Sequence, residues 1–441
     1  MSISPVIAVQ DPPAGTGQPV PLWRNLQFQT LWLGQAASSL GAGVANVAYP
    51  LAILALTGSP GQAGLFAAVQ TAGMAAGALP GGQLADRRDR RTIVVCTETV
   101  RALVTTVVAA GLIMGWLSLP LLIAAAAVLG VGQSVTGAAR NPLVRSVVPT
   151  SQLTAALTQD EVRQSGAALA GPPLAGALYG LRALAHAAPF LFTAASFAAS
   201  ALGAVAMKLL PAGPDYGATI SGPDGGTAPG AAAEGAEAAE AAAGGGMLAG
   251  LRMLWANPLL RAALVLVMLI NAVGVGLDLV VIVILRDQHV PSAQIGLVLA
   301  AAAIGSLAGA PLVRPLQRVR PGVLLIGACA VEVPLLAAMA LPYGAWWMAG
   351  LLFIPSLGVP SLRVLVDVLI FRRTPDRLRG RAVGAVMTML AIGMPAGMAV
   401  TGALLQWLPA RGALLTLAGL QAVAVLYCAT KRELWRARWP Q

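Results

Sequence analysis

The sequence predicts an all-α membrane protein, with twelve transmembrane helices in two six-helix bundles. Three observations predict it. First, membrane-length apolar stretches recur along 441 residues that are 57% hydrophobic and only 10% charged, where soluble chains carry about 25% charged residues. Second, short basic turns separate these stretches. The tightest is Gly81 to Arg91, GGQLADRRDRR, in which Asp86 stands beside four arginines. A basic segment of that brevity between two spans marks a cytoplasmic turn. Third, the chain repeats itself. Adding 226 carries Pro149, Gly171, Gly176, Ala177 and Leu178 onto Pro375, Gly397, Gly402, Ala403 and Leu404. Adding 227 carries Gly82, Arg87 and Arg91 onto Gly309, Arg314 and Arg318.

A bilayer core about 30 Å thick is crossed by roughly 20 apolar residues in a helix. On that ruler the first six spans are 29–56, 62–84, 92–115, 118–139, 152–180 and 187–210. The second six are 258–285, 292–313, 321–341, 344–371, 382–407 and 411–430. Residues 1–22 are Pro/Gly-rich without a basic n-region and read as a cytoplasmic tail, not a signal peptide. Residues 23–210 form the N-terminal bundle, 247–432 the C-terminal bundle, and 433–441 a second cytoplasmic tail. Between the bundles, 211–246 is a Gly/Ala/Pro-rich acidic stretch of low hydrophobicity, a flexible cytoplasmic linker. Met247 to Ala256 reads as a short amphipathic segment on the inner surface.

Orientation follows from the cations. With both termini inside, 22 of the 28 Lys and Arg residues fall in inner segments and three, Arg182, Arg286 and Arg411, in outer loops. That asymmetry is the positive-inside signature, and it sets the chain in the plasma membrane as a multi-pass protein. The net charge of +11 is spread over these loops and not gathered on one face, which argues against nucleic acid as a partner. Cys96, Cys329 and Cys428 lie in apolar stretches with no disulfide or metal spacing. His186 and His289 are isolated, so no metal site is expected. No nucleotide-binding loop and no Ser/His/Asp constellation is present, so neither a primary pump nor an enzyme is expected, and no cofactor is implied.

Gly82-x-Leu84-Ala85-Asp86-Arg87-x-x-Arg90-Arg91 resembles the loop motif between spans two and three of the major facilitator superfamily. Gly166, followed by Gly171-Pro172-x-x-Ala175-Gly176, resembles the fifth-span motif of its drug antiporters, with Ala175 where Gly is usual. Glu98-x-x-Arg101 is similar to an acid-x-x-Arg pair in the group that includes macrolide exporters and the enterobactin exporter. The resemblance runs from about Trp23 to Arg432. It implies the superfamily's two-bundle fold, an inner gate at Gly82, Asp86, Arg87, Arg90 and Arg91, and export by alternating access. The chain departs from the pattern in three places. Val313 stands where Asp86 maps in the second half, Ala42 follows Leu40-Gly41 where an acid is common, and no arginine lies in the middle of span four.

Several residues are candidates for the chemistry. Asp86 acts as a charge-assisted latch or only as a solvated loop charge. Gly166, Gly171, Pro172 and Gly176 give span five a small-residue face, which serves as a conformational element or as ordinary packing. Asp278 lies in span seven with Asn271 seven residues before it on the same face. An intramembrane Asp costs about 2.5–3.5 kcal/mol on translocon scales, so it needs a proton, water or a partner such as Arg286. Glu98 and Glu332 are further proton-coupling candidates, although Glu98 and Arg101, three apart, also suit a structural pair. Arg363 and Asp367 allow the same pairing, and Asp160, Glu161 and Arg163 suit an inner-gate network. Gln35, Ser39, Asn46 and Tyr49 share one face of span one and, with Gln133 in span four, are assigned to the substrate pathway or to interhelical hydrogen bonds; Asn271 in span seven is assigned to the pathway as well.

The predicted protein is therefore a monomeric secondary transporter that exports an amphipathic small molecule, such as a drug, natural product or siderophore, in exchange for protons. An importer or lysophospholipid flippase of the same fold and a non-transporting membrane sensor or assembly protein are the alternatives.

Overall fold

The computed structural model describes residues 21–181, 186–207, 258–316, 319–362 and 376–430. The expected linker 211–246, the amphipathic stretch 247–256, the C-terminal tail, most of the N-terminal tail and the Arg363/Asp367 pair lie outside the described residues.

Twelve long helices follow one another: α1 (Leu26–Thr57), α2 (Pro60–Arg87), α3 (Arg90–Met114), α4 (Leu119–Val147), α5 (Leu153–Gly180), α6 (Ala188–Ala206), α7 (Pro258–Asp287), α8 (Ser292–Gly309), α9 (Pro321–Met339), α10 (Ala345–Ser356), α11 (Asp376–Trp407) and α12 (Ala410–Ala429). Each matches one expected span. Among the described residues ten helical stretches are long and apolar enough to cross a membrane, α10 only when it is counted on to Leu362. The ends obey local rules. The Asn25 side chain accepts from the Phe28 amide at the start of α1, and Ser59 accepts from the Gln62 amide at the start of α2. Gly58 (φ 65°) and Gly115 (φ 74°) close α1 and α3 in the left-handed region that glycine adopts without strain.

Two helices differ from expectation. α8 ends at Gly309, where Ala310–Leu312 turns into a 3-10 helix around Pro311, because proline removes a helical donor. α10 ends at Ser356, directly after Pro355, and helical geometry resumes only at residue 359 beyond Leu357 and Gly358. The expected span of 344–371 is therefore broken within its described part.

One end of the molecule carries the arginine-rich α2–α3 turn; the opposite, far end carries the α1–α2 and α11–α12 turns. Exposed aromatic residues ring the far end: Trp116, Tyr343, Trp346, Trp347 and Trp407, the last 85% exposed. Aromatic rings of this kind settle at the membrane interface. The first six helices pack among themselves through α2–α4, α1–α6, α3–α6 and α1–α5, and the second six through α8–α10, α7–α11 and α9–α12. Two contacts join the halves extensively, α5 on α8 and α2 on α11.

Glycine makes both joints. A Cβ on Gly64 would lie 2.3 Å from Gly402 Cα, and one on Gly176 would lie 2.2 Å from the Ser292 carbonyl oxygen. Gly296 approaches the Pro172 carbonyl just as closely, at 2.2 Å. Without side chains, two backbones approach within direct van der Waals reach. Gly176 and Gly402 are partners in the sequence repeat, and each occupies the crossing point of its half. The largest apolar core draws on both halves and lies toward the far end, from Val44–Leu54 through Val273–Leu285 to Leu414. Toward the arginine end the described core splits. One cluster belongs to the first half (Leu22 to Met207), and another to α7, α9 and α12 (Leu266, Leu325, Ile326, Cys329, Cys428). Among the described residues the apolar core is thus continuous between the halves at the far end and divided at the arginine end.

A Gly402→Leu substitution should force the far ends apart. Spin labels at Thr57 and Leu408, read by double electron–electron resonance, should report a longer distance than in the parent; an unchanged distribution would show that this contact does not close the far end.

Candidate functional site

The α2–α3 turn is built around an acid that the sequence reading passed over. Asp89, not Asp86, caps α3: its Oδ1 accepts from the Arg91 amide (3.3 Å), and its Oδ2 from the Thr92 amide (3.1 Å) and hydroxyl (2.6 Å). The Thr92 hydroxyl first, and the two amides after it, hold the Asp89 carboxyl below its ordinary 3.8. Arg91 reaches across to the end of α6, where Nε donates to the Ala204 carbonyl (2.6 Å) and Nη2 to the Val205 carbonyl (2.7 Å). A cation on the last free carbonyls of a helix is favoured by its dipole. Gly82 is open on its Cβ side. Asp86 and Arg87 are exposed and make no ion pair among the described residues. A cap signal was available in the sequence, since Asp followed by a helix start three residues before Thr92 is a common N-terminal pattern.

Inside the first half, two ion clusters are fully organised. Glu98 is 0% and Arg101 3% exposed. Arg101 Nη1 donates to Glu98 Oε1 at 2.8 Å, and the Ser38 hydroxyl donates to Glu98 Oε2 at 3.0 Å. The Arg101 guanidinium stacks 3.9 Å above the centre of the Phe197 ring, and its methylenes lie where a Cβ on Gly132 would go. The pairing foreseen from the three-residue spacing is therefore present. It unites α1, α3, α4 and α6. Desolvated cation–π contacts contribute about 2 kcal/mol. Closer to the arginine end, Asp160 bridges two arginines. Its Oδ1 accepts from Arg163 Nε (3.0 Å) and Nη2 (2.7 Å), and its Oδ2 from Arg140 and from Gln164 Nε2 (3.1 Å). Arg163 Nη1 donates to the Gln35 carbonyl (2.9 Å) and to the Ser39 hydroxyl. Glu161 is exposed and outside this network.

The polar face of α1 is divided among different surroundings. Gln35 and Ser39 belong to the Asp160 cluster. Asn46 is exposed. Tyr49 is buried in the closed far-end core, stacked on Phe66 (4.6 Å between centroids) and edge-on to Phe190 (4.9 Å), so in this conformation it lines no crevice. Gln133 is half-buried on α4. On α5, Gly171 meets Gly43 of α1, and Pro172 and Gly176 meet α8, whereas Gly166 is exposed with open space beside it.

In the second half, Asn271, Gly274 and Asp278 form one exposed strip along α7. The Asp278 side chain is exposed on this strip, two residues from Gly276, where α7 packs closely on Thr401 of α11. Among the described residues it makes no hydrogen bond or ion pair, and Arg286 does not pair with it. Glu332 has a partner that its sequence neighbourhood does not contain: Gln421 of α12, 0% exposed, donates through Nε2 at 2.6 Å. The histidines are turn residues. His186 (φ 63°) stacks on Tyr179 and donates from Nδ1 to its carbonyl at 2.8 Å, and His289 (φ 58°) follows α7. Among the described residues no group of three His, Cys, Asp or Glu side chains suits a metal ion.

Comparison with known proteins agrees with this architecture. The profile described as Major Facilitator Superfamily matches residues 31–283 and 264–436. The chain belongs to the Major Facilitator Superfamily. It is a multi-pass membrane transporter of that superfamily, whose members carry small molecules. Among solved structures, it is similar to a bacterial homologue of the human lysosomal transporter Spinster in an inward-facing, unoccupied conformation (16% identity, TM-score 0.71, covering 95% of this chain and 99% of that one). It is also similar to a bacterial homologue of the iron transporter ferroportin in an inward-facing state (15%, 0.68, 93% and 100%) and to a D-xylose-proton symporter (13%, 0.62, 93% and 97%). At these identities the likeness shows the shared fold. No curated protein sequence matches the chain significantly.

Two outcomes test this account. Arg101→Met strands a buried carboxylate and should destabilise the transporter by about 3–5 kcal/mol, while the Glu98→Leu/Arg101→Met pair should recover most of that loss in thermal unfolding in detergent. Asp89→Ala should cost about 1 kcal/mol through loss of the cap. Because the folded carboxyl titrates below its free value, that contribution is present above pH 3.8 and fades as the pH falls through the lowered value. The difference between parent and variant should therefore persist at neutral pH and shrink below pH 3.8.

Proposed function

We propose that this transporter lies in the plasma membrane as a monomer with both termini cytoplasmic, and exports an amphipathic small molecule in exchange for protons by alternating access. The distribution of cations supports the orientation: the turns at the arginine end hold most of the Lys and Arg residues. With that end facing the cytoplasm, a core continuous at the far end and divided at the arginine end supports an inward-facing state. Cargo enters from the cytoplasmic side, the α2–α11 and α5–α8 joints part, and the arginine end closes. Asp86, with Arg87, Arg90 and Arg91, is the latch that engages on that closure, and Arg91 carries the motion to α6 through its grip on the Ala204 and Val205 carbonyls. The export-type motif on α5 supports this direction.

The observation that carries the reading is Asp278, a carboxylate within a membrane-spanning helix, without a hydrogen-bond or ion-pair partner among the described residues, on one strip with Asn271 and Gly274. A group in that setting exchanges a proton at little structural cost, because no partner must be released. Glu98, held by Arg101 and Ser38, would have to abandon an ion pair to do so. One proton moving inward through about 100 mV releases about 2.3 kcal/mol, enough for roughly a 50-fold gradient of a neutral cargo. A single titrating carboxylate therefore suffices.

Asp278→Asn should lower proton-driven export by at least tenfold in proteoliposomes while leaving downhill exchange of the same compound intact. The cargo is first selected from antibiotics, dyes and siderophores by its protonophore-sensitive accumulation in cells. Equal proton-driven export by the variant would remove Asp278 from the coupling. Proton-driven uptake in place of export would instead favour an importer on the same scaffold.

A further inference from the structure

We propose that the cleft between the arginine-end portions of α1, α4 and α5 is a binding site for the anionic head of an amphiphile, held by Arg140 and Gln35. The cleft is lined by Phe28, Trp32 and Val144 on its apolar side and by Gln35, Arg140 and Asp160 on its polar side. Two donors in it are unanswered. Gln35 is only 5% exposed, and its Nε2 is buried without an acceptor; Arg140 Nε is likewise buried without one. Buried donors of this kind are rare, because leaving them unmade forfeits their hydration.

The acceptors nearby are already engaged. Both oxygens of Asp160 are occupied, by Arg163 on one side and by Arg140 and Gln164 on the other. The Gln35 and Gln159 carbonyls accept from Arg163 and from the Trp32 indole. Among the described residues no acceptor is left for them, so the missing one comes from outside the protein. Charge selects its kind. Asp160 neutralises one of the two arginines that it bridges, and Glu161 pairs with neither, so the cluster keeps one positive charge. An acceptor-only oxygen that is itself anionic answers both donors and that charge together.

Shape selects the rest. The cleft has room for about one water-sized group between the donors, so a single phosphate or carboxylate oxygen enters. Because the Trp32 N–H is spent on Gln159, its ring offers the ligand only an apolar face. An alkyl or aromatic body lying on the half-buried Trp32 completes the fit. This chemistry is met by an anionic lipid of the adjacent leaflet or by an anionic amphipathic solute.

The test is binding, not flux, so its failure leaves the export reading untouched. The full-length protein in nanodiscs of phosphatidylcholine alone is titrated calorimetrically with dodecyl phosphate, inorganic phosphate and dodecyltrimethylammonium. Dodecyl phosphate should bind at least tenfold more tightly than either of the others. Arg140→Gln should weaken it at least tenfold and Gln35→Leu at least threefold, while Asp160→Asn, by removing the competing carboxylate, should tighten it. Gln35→Leu removes only an unanswered donor, so it keeps the fold and the comparison valid. Competition by phosphatidylglycerol added to the discs would identify a lipid occupant, and its failure to compete a soluble one; either supports the site. Equal binding of the cationic probe, or undiminished binding by both Arg140→Gln and Gln35→Leu, would overturn the proposal and leave the two donors to a resident water.

Discussion

The far-end contact between the halves rests on the absence of side chains. At Gly64 against Gly402, and at Gly176 and Gly296 against Ser292 and Pro172, one backbone lies directly on another. Any larger residue would hold the halves apart, and the apolar core that spans Val44–Leu54 and Val273–Leu285 could not assemble as one body. Because each half supplies one glycine of the repeat pair, Gly176 and Gly402, the two joints are equivalent by the internal symmetry of the chain. Transporters built from internal repeats place their cargo site between the repeats, and Asp278 lies on α7, a helix that touches α2 and α11 of one joint and α8 of the other.

Charge within the helices is handled differently in different places. Glu98 is answered by Arg101, Ser38 and the packing of Phe197. Asp160 is answered twice over, by Arg140 and Arg163. Glu332 is met by a buried amide from α12. Removing one partner from such a group leaves an uncompensated charge, which is why these clusters bind helices together. Asp278 has no such partner among the described residues, so a change in its proton occupancy disturbs no ion pair there.

Helix positions were legible in the sequence because membrane-length apolar runs and the residues that end helices are local signals. Asn25, Ser59, Gly58 and Gly115 each act within one turn of the helix they cap or close. The Glu98–Arg101 pair was legible for the same reason, being three residues apart on one helix. Contacts between helices were not. Ser38 reaches Glu98 across 60 residues, and Gln421 reaches Glu332 across 89, and both depend on how each helix is rotated about its axis. The α1 stripe shows the same dependence: its members share a face, and that face runs past a polar cluster at one end and into an aromatic core at the other. Asp89 was hidden differently, by four arginines and a second acid in the same short turn, where charge drew notice away from a cap.

The joint at Gly64 and Gly402 is uncharged, made of backbone and small groups, whereas the opposite extremity is crowded with guanidinium groups. Ionic strength and surface potential therefore have little to act on at this joint and a great deal at the opposite end. The two ends answer to different influences: the joint to the mechanics of close packing, the arginine end to the electrical state of the water and lipid it faces.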